Sequence, residues 1–227
     1  MANSEKNKSK KPSVFNIRRL AMDFGRLFLL IFFLALPMKK YNLNKDKYKD
    51  KIKKGAVFVC NHNTMLDPFI VSDCFWYRRM FFLAAEAVMK NKIAAFFLRG
   101  IGCIKIDRNI SDIESIKKCV DLLKEGNVLS VFPQGSLQNS HDVTAIKGGV
   151  ILLALKAGVP VIPMYTKRKS AFICRQNVVI GEPFYCSDYC TRKFPSMSDI
   201  DNLSQKLLEK MAECKEVFEE IEKENDK

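Results

Sequence analysis

The chain contains two histidines, His62 and His141. His62 stands in Asn61-His62-Asn63-Thr64-Met65-Leu66-Asp67-Pro68-Phe69, directly after the apolar run Ala56–Cys60. An imidazole with a carboxylate partner can act as a general base. One ring nitrogen takes the proton of an attacking hydroxyl, while the carboxylate on the other nitrogen fixes the tautomer and stabilises the imidazolium. Asp67, five residues on, is the candidate partner. On a continuous helix that spacing leaves the two side chains roughly 140° apart, and on a strand it puts them on opposite faces. They meet only if the chain turns between them. Pro68 suits a first helical turn and Asp67 suits the cap before it, so strand, turn and helix start is the expected order. A cap alone would also explain Asp67. The position of His62 at the end of a buried strand favours chemistry, because sites in α/β folds gather there.

The elements that would position this pair follow from the apolar pattern. Strands are expected at Ala56–Cys60, 80–84, Cys103–Ile106, 128–132, 159–165 and 178–180. Helices are expected at 68–77, 88–98, 113–123 and 149–156, with Gly126 as a stop signal after the third. From about Ser198 a last helix carries Leu203, Leu207, Met211, Cys214, Phe218 and Ile221 at steps of three or four, one apolar face expected to pack on the sheet. Near-continuous apolar strands alternating with helices imply a single α/β domain with a mostly parallel or mixed sheet. No internal repeat is visible. The expected division is a basic and apolar attachment segment, 1–54, followed by one domain, 55–227.

Four segments in order resemble the glycerolipid acyltransferase family that includes the 1-acylglycerol-3-phosphate acyltransferases. Asn61-His62 through Asp67-Pro68 is similar to the family's catalytic block. Gly102-Cys103-Ile104-Lys105-Ile106-Asp107-Arg108 resembles its second block, Val131-Phe132-Pro133-Gln134-Gly135-Ser136 its third, and Ala157-Gly158-Val159-Pro160-Val161-Ile162-Pro163 its fourth. The resemblance covers roughly 55–165. It implies His62 as general base with Asp67 behind it, acting on a lysophospholipid hydroxyl that attacks an acyl thioester carried by acyl-CoA or acyl carrier protein. It implies Arg108 on the phosphate. No metal or redox cofactor is implied. The third block departs from the usual Phe-Pro-Glu-Gly-(Thr/Ser)-Arg, because Gln134 stands for Glu and Leu137 for Arg. Lys147, before the helical stretch at 149–156, and Lys105 are the local cations that could replace that arginine, and backbone N–H groups near Gly135 could meet the oxyanion. Another lyso-lipid acceptor, or a catalytically weak lipid-binding relative, stays open.

Charge points to an anionic surface. The net charge is +13, with +5 in residues 1–19 and +6 in residues 39–54, where eight Lys face Asp46 and Asp50. The twelve-residue apolar run 27–38 lies between these blocks. A nucleic-acid arm has no need of such a run, so no nucleic-acid partner is expected. A spanning helix needs roughly 20 residues, and basic flanks on both sides hold both ends on one side. The expectation is an interfacial helix on the cytoplasmic face of a membrane, peripheral or monotopic. The eight cysteines form no C-x-x-C pair and no zinc pattern with either histidine, and are expected to be reduced and structural.

Overall fold

The computed structural model describes residues 38–43, 54–64, 67–75, 77–85, 89–90, 92–100, 102–106, 113–133, 146, 148–167, 176–190, 192 and 195–225. Its strands are β1 (Met38–Asn42), β2 (Ala56–Cys60), β3 (Met80–Ala85), β4 (Cys103–Ile106), β5 (Val128–Val131), β6 (Val161–Thr166) and β7 (Gln176–Ile180). Its α-helices are α1 (Asp67–Cys74), α2 (Lys92–Gly100), α3 (Ile113–Lys124), α4 (Gly149–Ala157) and α5 (Met197–Asn225). The expected strands are all present, within two residues at each end. The helix expected over 88–98 is displaced to Lys92–Gly100, and the one expected to reach 77 stops at Cys74.

The strands form one seven-stranded sheet in the order β1-β7-β6-β2-β5-β3-β4. The pairings β6-β2, β2-β5, β5-β3 and β3-β4 are parallel. β7 runs antiparallel to β6, and β1 runs parallel to β7. β2, β5 and β6 are buried at every position, as strands covered on both faces must be.

Two layers of side chains cover this sheet. On one face Val57, Val59, Leu129 and Val161 pack with Leu123 of α3, Ile151 of α4 and Leu207 of α5. On the other, Phe58, Cys60, Phe82 and Met164 pack with Ile70, Val71 and Cys74 of α1. The expected apolar face of α5 is buried, and this helix contacts β6 and β7. Phe218 meets Tyr165 edge-on, with ring centroids 5.3 Å apart.

The sheet begins earlier than the expected domain start at residue 55. Met38–Asn42 lies in the stretch read as an attachment segment, yet it forms the edge strand β1. Met38 and Tyr41 are half-buried and the other three residues are exposed, and edge strands commonly carry lysine on their open side. Lys40 has a further contact. Its Nζ donates to the carbonyls of Asp73 and Cys74, at 2.9 and 3.3 Å, where α1 ends. A cation there satisfies free carbonyls and complements the helix dipole. The expected interfacial helix in the run 27–38 lies outside the described residues. Among those described, no helix is long and apolar enough to cross a membrane.

Two glycines fix the approach to β2. Gly126 has φ 87° and ends α3 as expected. Gly55 lies against the turn that follows α3, and a Cβ there would sit 2.0 Å from the carbonyl oxygen of Leu123. Gly55→Ala should therefore destabilise the fold by about 1–3 kcal/mol, the usual cost of overpacking. The midpoint of urea unfolding measures it, and an unchanged midpoint would show that the entry to β2 is not close-packed.

Candidate active site

The chain after β2 leaves through α1 on one face of the sheet and goes to β3. The chain after β5 leaves toward α4 on the opposite face and goes to β6. β2 and β5 are neighbours whose onward helices lie on opposite faces, the switch-point arrangement whose crevice binds ligands in open α/β sheets. His62 follows β2 and Phe132 follows β5. Their rings stack there, with centroids 4.4 Å apart and planes at 29°.

The turn between His62 and Asp67 closes as the spacing requires. His62 Nδ1 lies 3.2 Å from Asp67 Oδ2. The Asp67 side chain is 2% exposed and that of His62 is 16% exposed. Asp67 Oδ2 also accepts the backbone N–H groups of Asn63 and Thr64, both at 2.7 Å. Its Oδ1 accepts the Thr64 hydroxyl at 2.7 Å. Asp67 therefore reaches back over the preceding turn instead of capping the helix ahead of it. The bond from the Thr64 N–H to a carboxylate three residues on is the one that the acidic residue of a capping box makes. A carboxylate occupied by donors has no proton to give, so the hydrogen between it and His62 belongs on Nδ1. With the hydrogen on Nδ1, a neutral imidazole carries its lone pair on Nε2, which is the state a general base needs.

Asn61 fixes the strand end from which His62 emerges. It is fully buried. Its Nδ2 donates to the Thr166 carbonyl at 2.7 Å and its Oδ1 accepts the Thr166 N–H at 3.0 Å. The side-chain amide thus continues the β2–β6 ladder by one more pair, after the backbone of β2 has turned away.

A thiol precedes this site, but it is no nucleophile. Burial, followed by the Asp67 charge, pushes the Cys60 thiol well above its ordinary range. Burial pushes Cys74 up to about 12. Neither is a thiolate near neutrality, and the thiolate is the reactive form. None of the seven described cysteines is in a disulfide. Among the described residues no group of His, Cys, Asp or Glu could hold a metal ion. A neutral imidazole held in this way can take a proton from a hydroxyl.

Of the other expected site residues, Lys105 is exposed on β4, the edge strand separated from β2 by β5 and β3. Arg108, Gln134, Gly135 and Lys147 lie outside the described residues. Thr64, Asn61 and Phe132 take part in the site without having been singled out as functional. Thr64 was detectable in principle, since Thr-x-x-Asp before an apolar run is a helix-start signal. The stacking of Phe132 depends on strand order, which no local pattern encodes.

The structure thus puts an imidazole on a buried carboxylate at the end of β2, beside the end of β5. The Acyltransferase family model matches residues 39–167, more than half the chain, and the chain belongs to that family. It is an O-acyltransferase. The 1-acyl-sn-glycerol-3-phosphate acyltransferase of Bacillus subtilis (strain 168) is 25% identical over 172 residues, 74% of this chain and 84% of that protein. The enzyme of the same name from Streptococcus pneumoniae is 29% identical over 170 residues, 72% of this chain and 62% of that protein. The crystal structure of the 1-acyl-sn-glycerophosphate (LPA) acyltransferase PlsC from Thermotoga maritima shares the fold. It has a TM-score of 0.58 at 17% identity, over 88% of this chain and 79% of that one.

Asp67→Asn puts an amide where two backbone N–H groups and a hydroxyl need acceptors. Hydrogen bonds to charged groups contribute roughly 1.5–3 kcal/mol, so a stability loss of that order is expected, together with reduced turnover from a mis-set imidazole. Chemical denaturation and single-turnover kinetics measure the two. Full stability with full activity would mean that the carboxylate organises neither the turn nor the base.

Proposed function

We propose that this O-acyltransferase moves a fatty acyl group from an acyl thioester, acyl-CoA or acyl carrier protein, to the free hydroxyl of 1-acylglycerol-3-phosphate, giving phosphatidic acid in phospholipid biosynthesis. The Asp67-held imidazole of His62 is the observation that carries this reading, and the names of the relatives support the acceptor. His62 Nε2 takes the hydroxyl proton as the oxygen attacks the thioester carbon. The tetrahedral oxyanion collapses, the C–S bond breaks, and the leaving thiolate takes the proton from the imidazolium. This sequence needs no metal and no redox cofactor. Gly135 backbone N–H donors would stabilise the oxyanion, where a single donor is worth about 10²–10³ in rate. Arg108 and Lys147 would hold the phosphate, with Lys105 as a further cation and Gln134 adding neutral hydrogen bonds.

The test is acyl transfer by the purified protein from both donors to a panel of lyso-lipids. Lysophosphatidic acid should be the preferred acceptor, and His62→Ala should lower turnover about 10²–10⁴-fold. Arg108→Ala and Lys147→Ala should each raise the KM for lysophosphatidic acid about ten-fold, with no such effect on a zwitterionic acceptor. Near-normal turnover in His62→Ala would end the mechanism. The uncharged Leu137 at the family's arginine position favours a second reading, a lyso-lipid lacking a phosphate monoester. A wild type that prefers the zwitterion would establish it.

Attachment is proposed to be peripheral or monotopic, on the cytoplasmic face of an anionic membrane, through the basic blocks around the run 27–38. Binding to anionic vesicles should weaken as salt screens exposed charge. On sealed vesicles, protease should reach residues 1–19 and 39–54 from the same side. Cleavage from opposite sides would mean that the run spans the bilayer.

A further inference from the structure

Asn63 lies between the base and its carboxylate. Its backbone N–H is in use, donating to Asp67 Oδ2 at 2.7 Å. Its side chain is not. Both Nδ2 and Oδ1 are buried, and neither has a hydrogen-bond partner. Two residues earlier, Asn61 carries the same amide, also buried, with both atoms satisfied by Thr166. A buried amide left without partners is costly, and native interiors hold few of them. Such a cost is most readily understood in a catalytic turn, where the missing partners can arrive with the substrate. Asp67 fixes the Asn63 backbone before anything binds.

We infer that the Asn63 side-chain amide hydrogen-bonds the glycerol backbone of the lyso-acceptor, beside the hydroxyl that His62 deprotonates. This rests on the acyl-transfer reading given above. The chemistry of the orphaned pair selects the acceptor over the acyl donor's reacting group. Nδ2 needs an acceptor oxygen and Oδ1 needs a donor hydrogen. A thioester carbonyl can only accept. The lyso-acceptor offers ester and phosphate oxygens that accept, and one O–H, that of the reacting hydroxyl, that can donate. Asn63 also belongs to the Asp67-held turn that carries the base.

Asn63→Leu, close in size and without polar atoms, is the test, with Asn63→Ala beside it. Steady-state kinetics are measured with lysophosphatidic acid varied at saturating acyl donor, and then the reverse. The acceptor KM should rise about ten-fold, and the donor KM should stay within two-fold, roughly what one lost hydrogen bond produces. The thermal midpoint of Asn63→Leu should not fall, because the substitution removes an unsatisfied group. An unchanged acceptor KM in a folded variant would overturn the inference, as would a rise confined to the donor KM or a loss confined to kcat. A second arm does not need turnover. His62→Ala and His62→Ala/Asn63→Leu are compared for equilibrium binding of lysophosphatidic acid, and the double variant should bind about ten-fold more weakly. Equal binding would overturn the contact. A wild type that acylates no lyso-lipid would instead refute the enzymatic reading, while this binding comparison still decides the role of Asn63.

Discussion

Four hydrogen bonds to one buried carboxylate organise the functional end of this molecule. Asp67 takes the N–H groups of Asn63 and Thr64, the Thr64 hydroxyl and the ring of His62. The first three bonds shape the turn, and the fourth orients the base. The same charge therefore shapes the local fold and orients the imidazole together. Removing it would leave two backbone donors without their acceptor in a site with little water to replace it, a situation more costly than the bonds themselves are stabilising. Geometry and chemistry at this turn are not separable in this protein.

The rest of the fold can be understood as support for that turn. β2 lies between two parallel neighbours, so its end is held laterally from both sides. Asn61 prolongs one of these ladders with a side-chain amide, letting the backbone leave the sheet without abandoning the pairing. Further along, the Thr166 hydroxyl donates to the Asn177 carbonyl, and Asn177 Nδ2 donates to Glu222 of α5. A chain of polar contacts thus runs from the end of β2 to the last helix, through residues that are otherwise buried. On the other side Phe132, from β5, covers the imidazole with an apolar ring.

Much of this was readable in the sequence, for identifiable reasons. Buried parallel strands are nearly all apolar, so β2, β5 and β6 declare themselves. The heptad-like spacing from Leu203 to Phe218 marks the buried face of α5. His62 and Asp67 could be paired because their spacing permits contact only across a turn. β1 escaped notice because an edge strand buries half of two residues, and its lysines look like any solvated stretch. The start of α2 was misplaced because apolar residues before it resemble the helix itself. Asn61 and Phe132 act through partners more than 60 residues away, and those contacts exist only once the strand order is known.

The first residue of β1 is also the last residue of the apolar run, Met38. In the sequence no glycine- or serine-rich spacer separates the run from the strand. Lys40, two residues on, is bonded to the end of α1. The start of that helix is Asp67. If the run lies in a lipid surface as proposed, the enzyme resembles a tool fixed to a bench more than one hanging from a cord. Its freedom would reduce to sliding and spinning in the plane, with pitch and height set by the first strand. Substrate search would then be a two-dimensional problem, and the angle at which the crevice meets the surface would be written into the sheet.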